Sequence, residues 1–469
     1  MQPVRPRKKV LLLRPAYSGV YRLFGRTPRD REVRPPLGLL SLAGSLRQAG
    51  HAVEVVDGEP RQLAPEQLVA EVVRREPDVL GISSTTPEFH LAQQVISEAK
   101  AARPTVLTVL GGAHASALPE ECLEATRGLD YVVVGEGEQA LVELLDSPPH
   151  DRVLRADPVR DLDRLPLPAR DLVDPRDYRY AAPGDGLVNL DAIETSRGCP
   201  FDCSFCFHLP RYPTRFKSAE RVLDELRHSR RTFNARMVVF FDDTFTLDAR
   251  RVVAMLGLIV RSDLSLKFHC FTRADTLDQE TAGLMAQAGF VKATIGVESG
   301  RQDVLDRLGK RTTLQHYRDA FRWLHSSGIE TRGSFIIGAP HETWDTVRAS
   351  IEFARSLDLF RVGVNIATPY PGTALYRQAQ EKDGIELVTT DWKRFCRWGS
   401  SVVRTPSMDA SEIERAQRVF LTEFYSSPKV LRYHLERFLS GNHSLFYYRP
   451  VLWSVWRRLR GESLDGRGR

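Results

Sequence analysis

The sequence is short of several things that would each have fixed its class. No apolar run approaches the roughly 18 residues that a membrane-spanning helix needs. The start, MQPVRPRKK, is basic, but the apolar stretch behind it runs only from Val10 to Leu13, where a secretion signal wants about 7–15 residues. Cysteine is scarce, six in 469 residues, far too few for a secreted disulfide scaffold. Lysine is scarcer than its partner cation: 10 lysines stand against 56 arginines, the codon habit of a GC-rich genome more than the signature of a binding face. The charges are scattered rather than striped, so a net charge of +6 and a pI near 9.0 do not imply a nucleic-acid partner, and none is expected. Repeats of solenoid length and low-complexity tracts are missing as well. With 42% hydrophobic and 27% charged residues and a mean hydropathy of −0.30, what remains is a soluble, cytoplasmic protein of about three domains.

What is present is alternation. Strand runs at Lys8 to Arg14, His51 to Asp57, Val79 to Ser83, Val106 to Leu110 and Tyr131 to Val134 are separated by helical spacing at Leu37 to Gln48, Pro65 to Arg75, Pro87 to Ala101 and from the Gly-Glu-Gly-Glu turn through Leu145. Five βα units with fully apolar strands predict a five-stranded, doubly wound parallel sheet over residues 1–150. The ligand crevice of such a sheet lies beyond its strands' carboxyl ends. Residues 151–185, rich in Pro and Asp, lack periodicity and read as a linker. Six further strand runs follow: Leu187 to Thr195, Met237 to Phe241, Lys267 to Phe271, Val291 to Val297, Thr331 to Ile337 and Arg361 to Ala367. With helices between them, they predict a partial (β/α)6 barrel over 186–384 whose chemistry sits at the strands' C-terminal ends. Residues 385–469 are helical and aromatic. Tyr433 to Leu439 and Leu452 to Leu459 mix helical apolar spacing with arginine; packing over the barrel is expected, with contact to a membrane surface as the alternative.

Three of the six cysteines fall within eight residues. Cys199, Cys203 and Cys206 form C-x3-C-x2-C directly after the first barrel strand, with Phe205 before the last of them. Converging thiolates make a soft metal site, suited to zinc or to an iron–sulfur cluster. Three ligands on four irons leave one iron open to an external ligand, whereas His208 would complete a closed Cys3His zinc site. Cys122, Cys270 and Cys396 stand alone and read as structural.

This loop resembles that of the radical S-adenosyl-L-methionine (SAM) enzymes. The likeness continues through FFDDTFT (240–246), CFTRAD (270–275), GVESG (296–300), LGKRTT (308–313), GSFIIGAPHET (333–343) and TPYPGTALY (368–376), with His341 where the family usually has Gly. In the N-terminal half, the Pro35-Pro-Leu-Gly-Leu-Leu run, Ser84-Thr85, GGAH at 111–114 and VVGEGE at 133–138 resemble the cobalamin-binding domain of the family's cobalamin-dependent branch. No histidine lies in Asp-x-His-x-x-Gly, the motif that supplies cobalt's lower ligand elsewhere, and His114 is expected to pack its loop.

The resemblance implies a 4Fe-4S cluster on the three cysteines, SAM and cobalamin as cofactors, and a reducing electron donor such as flavodoxin or ferredoxin. It implies SAM contacts from Phe205, Asp242 or Asp243, Arg273, Glu298 and Ser334. Arg273 would suit the SAM carboxylate, since a guanidinium binds carboxylates bidentately. It implies cobalamin contacts from Gly38, Ser84, Thr85, Gly111, Gly112, Gly135, Glu136 and Gly137. The activity implied is methyl transfer to an unactivated carbon, or a phosphinate phosphorus, of a small-molecule natural product. The alternatives are cyclisation or ring rearrangement without methyl transfer and, outside enzymes, a zinc- or iron–sulfur-binding protein.

Overall fold

A computed structural model describes residues 7–17, 33–182, 186–208 and 212–439, together with Leu452 and Trp456. The N-terminal strands are β1 (Lys9–Arg14), β2 (Ala52–Asp57), β3 (Val79–Ser83), β4 (Leu107–Gly111) and β5 (Tyr131–Val134). They form a parallel sheet in the order β2-β1-β3-β4-β5, and a sixth strand, β6 (Val153–Arg155), pairs in parallel with β5. The expected sheet of five strands is therefore a sheet of six. Three residues are too few to show a period, and β6 lies in the stretch read as linker. Apolar side chains cover both faces: Leu11, Leu13, Leu80 and Ile82 pack towards helix Phe89–Ala102, while Val10, Leu12, Val109 and Val133 pack towards helices Leu37–Gln48 and Gly137–Asp146. This two-sided burial is why the strands read as continuous apolar runs.

The second sheet begins with β7 (Arg179–Ala182), antiparallel to β8 (Gly186–Ile193). A short antiparallel pair, β9 (Ser196–Arg197) and β10 (Arg215–Phe216), forms the stems of the cysteine loop. Then come β11 (Met237–Phe240), β12 (Lys267–Thr272), β13 (Phe290–Glu298), β14 (Glu330–Ile337) and β15 (Arg361–Ile366). The order is β15-β14-β13-β12-β11-β8-β7, with the six strands from β8 to β15 parallel. This is the partial (β/α)6 barrel, widened at one edge by β7.

The strand-to-helix turns of the barrel start their helices with side-chain caps. Ser218, Asp248, Asp278 and Thr343 accept the backbone N–H of Arg221, Arg251, Thr281 and Thr346, each contact stabilising its helix by about 1 kcal/mol. The open edge at β15 is covered by helix Ala410–Tyr425. Gln417 Nε2 donates to the Val364 carbonyl at 2.7 Å, and the Tyr425 hydroxyl takes the Val362 amide at 3.3 Å and meets its carbonyl at 3.2 Å. An exposed row of backbone donors and acceptors would otherwise invite another strand.

Among the described residues no helix is long and apolar enough to cross a membrane. Helix Pro428–Leu439 contains the first of the two basic amphipathic stretches. The second, Leu452 to Leu459, lies outside the described residues apart from Leu452 and Trp456.

Candidate functional site

The cysteine loop closes over the carboxyl ends of the barrel strands and is held there by backbone. The Cys206 amide donates to the Cys203 carbonyl at 3.0 Å, Ser204 N–H reaches the Leu308 carbonyl at 2.9 Å, and the Ser204 carbonyl accepts from Leu375 at 2.7 Å. Gly309, at φ +66°, is required at this crossing: a Cβ there would lie 2.9 Å from the Asp202 carbonyl oxygen.

Two cations stand behind the thiols. Arg273 Nη1 donates to Cys203 Sγ at 3.6 Å, and its guanidinium lies 3.6 Å from the centre of the Phe201 ring. Lys310 Nζ sits 5.9 Å from the Phe205 ring centre and 3.1 Å from Glu298 Oε1. The hydrogen bond from Cys206, with Lys310 and Arg273, holds the Cys203 thiol below its ordinary value against the opposing effect of burial, while the same bond and burial push the Cys206 thiol up. Cys199 Sγ lies 3.9 Å from Thr244 Oγ1, and burial pushes this thiol up.

The donor set fits a cluster. Thiolates are soft ligands, and donors aimed at the sulfurs tune iron–sulfur centres. Among the described residues no three thiol, imidazole or carboxylate groups close on one ion-sized point. His208 is felt instead by the Asp243 carboxyl. Three soft thiolates with Arg273 and Lys310 behind them suit an iron–sulfur cluster.

The expected SAM contacts divide into two layers. Asp242 is fully buried and spent on the loop's own start: it accepts from the Thr195 amide at 3.1 Å, from Thr195 Oγ1 at 2.7 Å and from the Ser196 hydroxyl. It therefore anchors the start of the loop. Asp243 points outward, its carboxyl pushed up by burial and by Asp242. Arg273 spends its fork on Asp275, at 2.9 and 2.7 Å, and reaches the Lys310 carbonyl at 2.7 Å and Thr312 Oγ1 at 2.9 Å. A carboxylate partner is thus already built in, and the remaining nitrogen faces Cys203. Glu298 ends β13 at φ +68° beside a register shift, an uncommon region for a side-chain-bearing residue, and Lys310 holds it there. Ser334 Oγ accepts from Asn365 Nδ2 at 2.9 Å.

Strand positions that alternate with the helix-packed ones line the barrel interior. His269 Nε2 meets Thr294 Oγ1 at 2.9 Å, and Phe241 and Phe271 stack at 6.1 Å with the Arg34 guanidinium 5.0 and 5.5 Å from their centres. Burial, then the charges of Lys292, Arg34 and Arg332, hold His269 neutral well below its ordinary value. Lys310, Asp275, Asn365 and Arg34 escaped sequence reasoning as individual contacts. LGKRTT and CFTRAD contain the first two, so the motifs carried the signal without the roles.

In the N-terminal unit the expected rim lies at the carboxyl ends of β3, β4 and β5. Gly112 has φ +98°, and a Cβ there would stand 2.5 Å from the Ser84 carbonyl oxygen. Ser84 donates its amide to the Gly111 carbonyl at 3.2 Å, and its hydroxyl is buried without a partner. Gly38 opens onto free space, Gly111 nearly so, and Thr85 is exposed. This small-residue cradle with an orphaned hydroxyl fits the approach of a bulky macrocycle. His114 is fully buried, 3.2 Å from Thr86 Oγ1 and 4.3 Å from the Phe89 ring, and burial depresses it to about 4. It packs its loop, as expected. Gly135, at φ +95°, and Gly137 flank Glu136, but Glu136 does not face the cradle: both its oxygens are taken by Arg215, at 2.6 and 2.9 Å. A cavity of about 230 Å³ between the two units is lined by Gly38, Ser41, Glu194, Arg197, Lys217 and Phe241 among others. A larger groove of about 960 Å³ runs beside 153–166, along helices Leu37–Gln48 and Gly137–Asp146.

A parallel sheet with a small-residue rim, joined to a partial barrel that carries a three-cysteine loop, defines a cobalamin-binding radical SAM fold. Comparison with known proteins agrees. The B12-binding domain model matches residues 31–145 and the radical SAM superfamily model matches residues 193–354. An uncharacterized methyltransferase of Pyrococcus horikoshii is 33% identical over 90% of this chain and 94% of its own length. Hopanoid C-3 methylase of Methylococcus capsulatus is 30% identical over 77% of this chain and 71% of its own, and an anaerobic magnesium-protoporphyrin IX monomethyl ester cyclase of Rubrivivax gelatinosus is 25% identical over 91% and 79%. In fold, the chain matches the radical SAM methyltransferase TsrM of Kitasatospora setae, solved with cobalamin and a 4Fe-4S cluster bound, with a TM-score of 0.63 at 21% identity over 87% of this chain and 84% of that one. The chain belongs to the cobalamin-binding radical SAM family. Its cofactors are a 4Fe-4S cluster, SAM and cobalamin, and enzymes of this kind act on small molecules with an external reductant.

Proposed function

We propose that this chain transfers a methyl group from SAM, by way of cobalamin, to an unactivated carbon (or a phosphinate phosphorus) of a small-molecule natural product in the cytoplasm, with flavodoxin or ferredoxin as the electron donor. The observation that carries the reading is that one segment, Gly135 to Glu138, ends a strand of the cobalamin-type unit and also grips both stems of the cysteine loop. The cluster supplies the electron that splits SAM, and cobalamin supplies the methyl carrier.

The chain's own residues support this. Cys199, Cys203 and Cys206 hold the cluster, with Arg273 and Lys310 behind them to favour thiolate sulfur. Phe205, Asp243, Glu298 and Ser334 face the volume in which SAM sits, and Asp242 and Arg273 position the walls of that volume. Gly38, Ser84, Thr85, Gly111, Gly112, Gly135 and Gly137 form the rim on which the corrinoid rests. The substrate occupies the barrel interior beside Phe241, Phe271 and Asn365. The division proposed is a cobalamin unit over 1–150, a linker over 151–185, a barrel over 186–384 and a helical region over 385–469, with β6 added to the first.

The test is anaerobic reconstitution with iron, sulfide and hydroxocobalamin, followed by desalting and quantification. About four irons and about one cobalamin per chain are expected, with label from methyl-labelled SAM passing to product. The Rubrivivax relative favours ring closure as the second reading; product formed without incorporated label would establish it. A cluster without retained cobalamin would overturn the methyl-transfer proposal.

A further inference from the structure

The cysteine loop is a hairpin insertion: it leaves the fold at Arg197 on β9 and returns at Arg215 on β10, and these two residues are paired partners in that ladder. Both arginines are gripped by the turn that ends β5 in the other unit. Arg215 presents its fork to Glu136, with Nη2 2.6 Å from Oε1 and Nη1 2.9 Å from Oε2. Arg197 spreads over three carboxylates: Nη2 to Glu138 Oε1 at 2.6 Å, Nη1 to Glu136 Oε2 at 3.4 Å, and Nε to Glu194 Oε1 at 2.5 Å.

The grip is tied back on both sides. Ser41 of helix Leu37–Gln48 donates to Glu138 at 2.7 Å. In the connecting segment, the Val159 amide donates to Glu136 at 2.8 Å and its carbonyl accepts from Arg215 at 2.6 Å. Gly135 leaves room for the Tyr212 ring, whose hydroxyl donates to the Ala156 carbonyl. The side chains of Glu136, Glu138, Arg197 and Arg215 are all 13% exposed or less. In that low-dielectric setting, bidentate charge-assisted contacts fix direction as well as distance.

We propose that Glu136 and Glu138 are positioning residues: a clasp that locks the rim of the cobalamin-binding unit to both stems of the cluster loop and so sets the spacing between the two cofactors. This rests on the functional reading above. The clasp uses the Gly-Glu-Gly-Glu turn in two directions at once. Its glycines make room for Tyr212 and Leu42, and its carboxylates hold the neighbouring unit. A reaction that moves a methyl group between two bound cofactors depends on their alignment, and a misplacement of about 1 Å can cost on the order of 100-fold in rate.

Two measurements test it on full-length Glu136→Gln, with Arg215→Lys as the conservative companion. The first is amide hydrogen exchange on the chain without cofactors. Residues 133–138 and 196–197, together with 212–216, should exchange faster in Glu136→Gln, while the distant barrel helix Ala249–Arg261 keeps the parent rate. Unchanged exchange in both loop stems overturns the clasp.

The second uses reconstituted protein with titanium(III) citrate and compares two rates: 5′-deoxyadenosine release from SAM, and methylation of cob(I)alamin by SAM. Positioning predicts that cob(I)alamin methylation falls on the order of 100-fold while 5′-deoxyadenosine release stays within about twofold, with Arg215→Lys intermediate. Equal losses in both rates, or no loss in either, overturn the positioning role. Should the parent chain fail to methylate cob(I)alamin, the methyl-transfer reading falls, and the exchange measurement decides the clasp by itself.

Discussion

Arg170 lies in the connecting segment, yet its side chain has no exposure to solvent. Nε pairs with Asp191 on β8 at 2.5 Å, and Nη2 pairs with Glu225 at 3.0 Å and donates to the Ala192 carbonyl at 3.0 Å. Glu225 also holds Lys217 at 2.7 Å. Arg170→Met keeps much of the volume and removes the charge, leaving Asp191 buried without its cation. Breaking a buried pair by deleting one partner costs about 3–5 kcal/mol. The state of Glu225 points in the same direction. Burial opposes the Glu225 charge, and Lys217 and Arg170 overcome that to hold its carboxyl near 2, from an ordinary 4.5. That fall is worth roughly 3 kcal/mol, shared between the two cations, and the loss at Asp191 adds to Arg170's part.

The pH dependence follows from the same shift. A carboxyl whose folded pKa is depressed contributes fully above about 4.5 and loses that contribution as pH falls towards about 2. In the variant this acid-labile part shrinks, because only Lys217 remains. Thermal unfolding of the cofactor-free chain at pH 7 should show the barrel transition lowered by about 6 °C or more, and the gap to the parent should narrow below pH 4. Arg170→Lys should fall between them, since an ammonium cannot reach both carboxylates in the fork geometry. A variant melting within about 1 °C of the parent would refute the argument that this cation holds the connecting segment to β8.

Three further outcomes are expected. Gly112→Ala places a methyl 2.5 Å from the Ser84 carbonyl oxygen at φ +98°; cobalamin retained after desalting should drop by about tenfold or more, at a strain of order 1–3 kcal/mol, while the iron content stays at the parent level. Glu342 is fully buried, and burial raises its carboxyl to about 7 even though the Gly338 and Ala339 amides donate to it. A raised folded pKa means the native state keeps a proton that the unfolded chain releases, so parent stability should fall as pH rises from about 4.5 to about 7, and Glu342→Gln should flatten that slope in urea titrations. His341 occupies φ +59° with its side chain about half exposed; His341→Gly should raise the urea midpoint by an amount equivalent to about 0.5–1 kcal/mol, since glycine adopts this conformation without strain.

The elements that packing dictates were readable from the chain. Leu37–Gln48 and Pro65–Arg75 coincide with their expected ranges, because a helix with one buried stripe writes its period into the sequence. The six barrel strands were readable as apolar runs for the same reason. The cysteine triad needed no fold at all, since its spacing is local. β6 and β7 were not readable: one is three residues long, and the other pairs only at the sheet's edge. Side-chain roles were the least visible. Asp242, Arg273 and Glu136 each sit in a motif, but whether such a group faces a ligand or another protein group depends on partners 46, 70 and 79 positions away.

Those three cases share a direction. Asp242, Arg273 and Glu136 are each paired with protein groups and buried or nearly so, whereas Asp243 stays exposed. Dielectric and shape explain the division. A guanidinium or carboxylate left open at a wide crevice stays hydrated and mobile; buried against its partner, it becomes a rigid strut. The rim needs small groups so that a macrocycle and a cluster can approach backbone closely. The abundance of arginine then has a structural use beyond codon habit. Arg14 on Asp57, Arg170 on Asp191 and Glu225, Arg215 on Glu136 and Arg273 on Asp275 each use the planar fork on a carboxylate, a geometry that lysine cannot supply. Turned inward and paired in this way, these four cations act on the fold itself: Arg170 ties the connecting segment to β8, and Arg215 ties the cysteine-loop stem to the turn after β5.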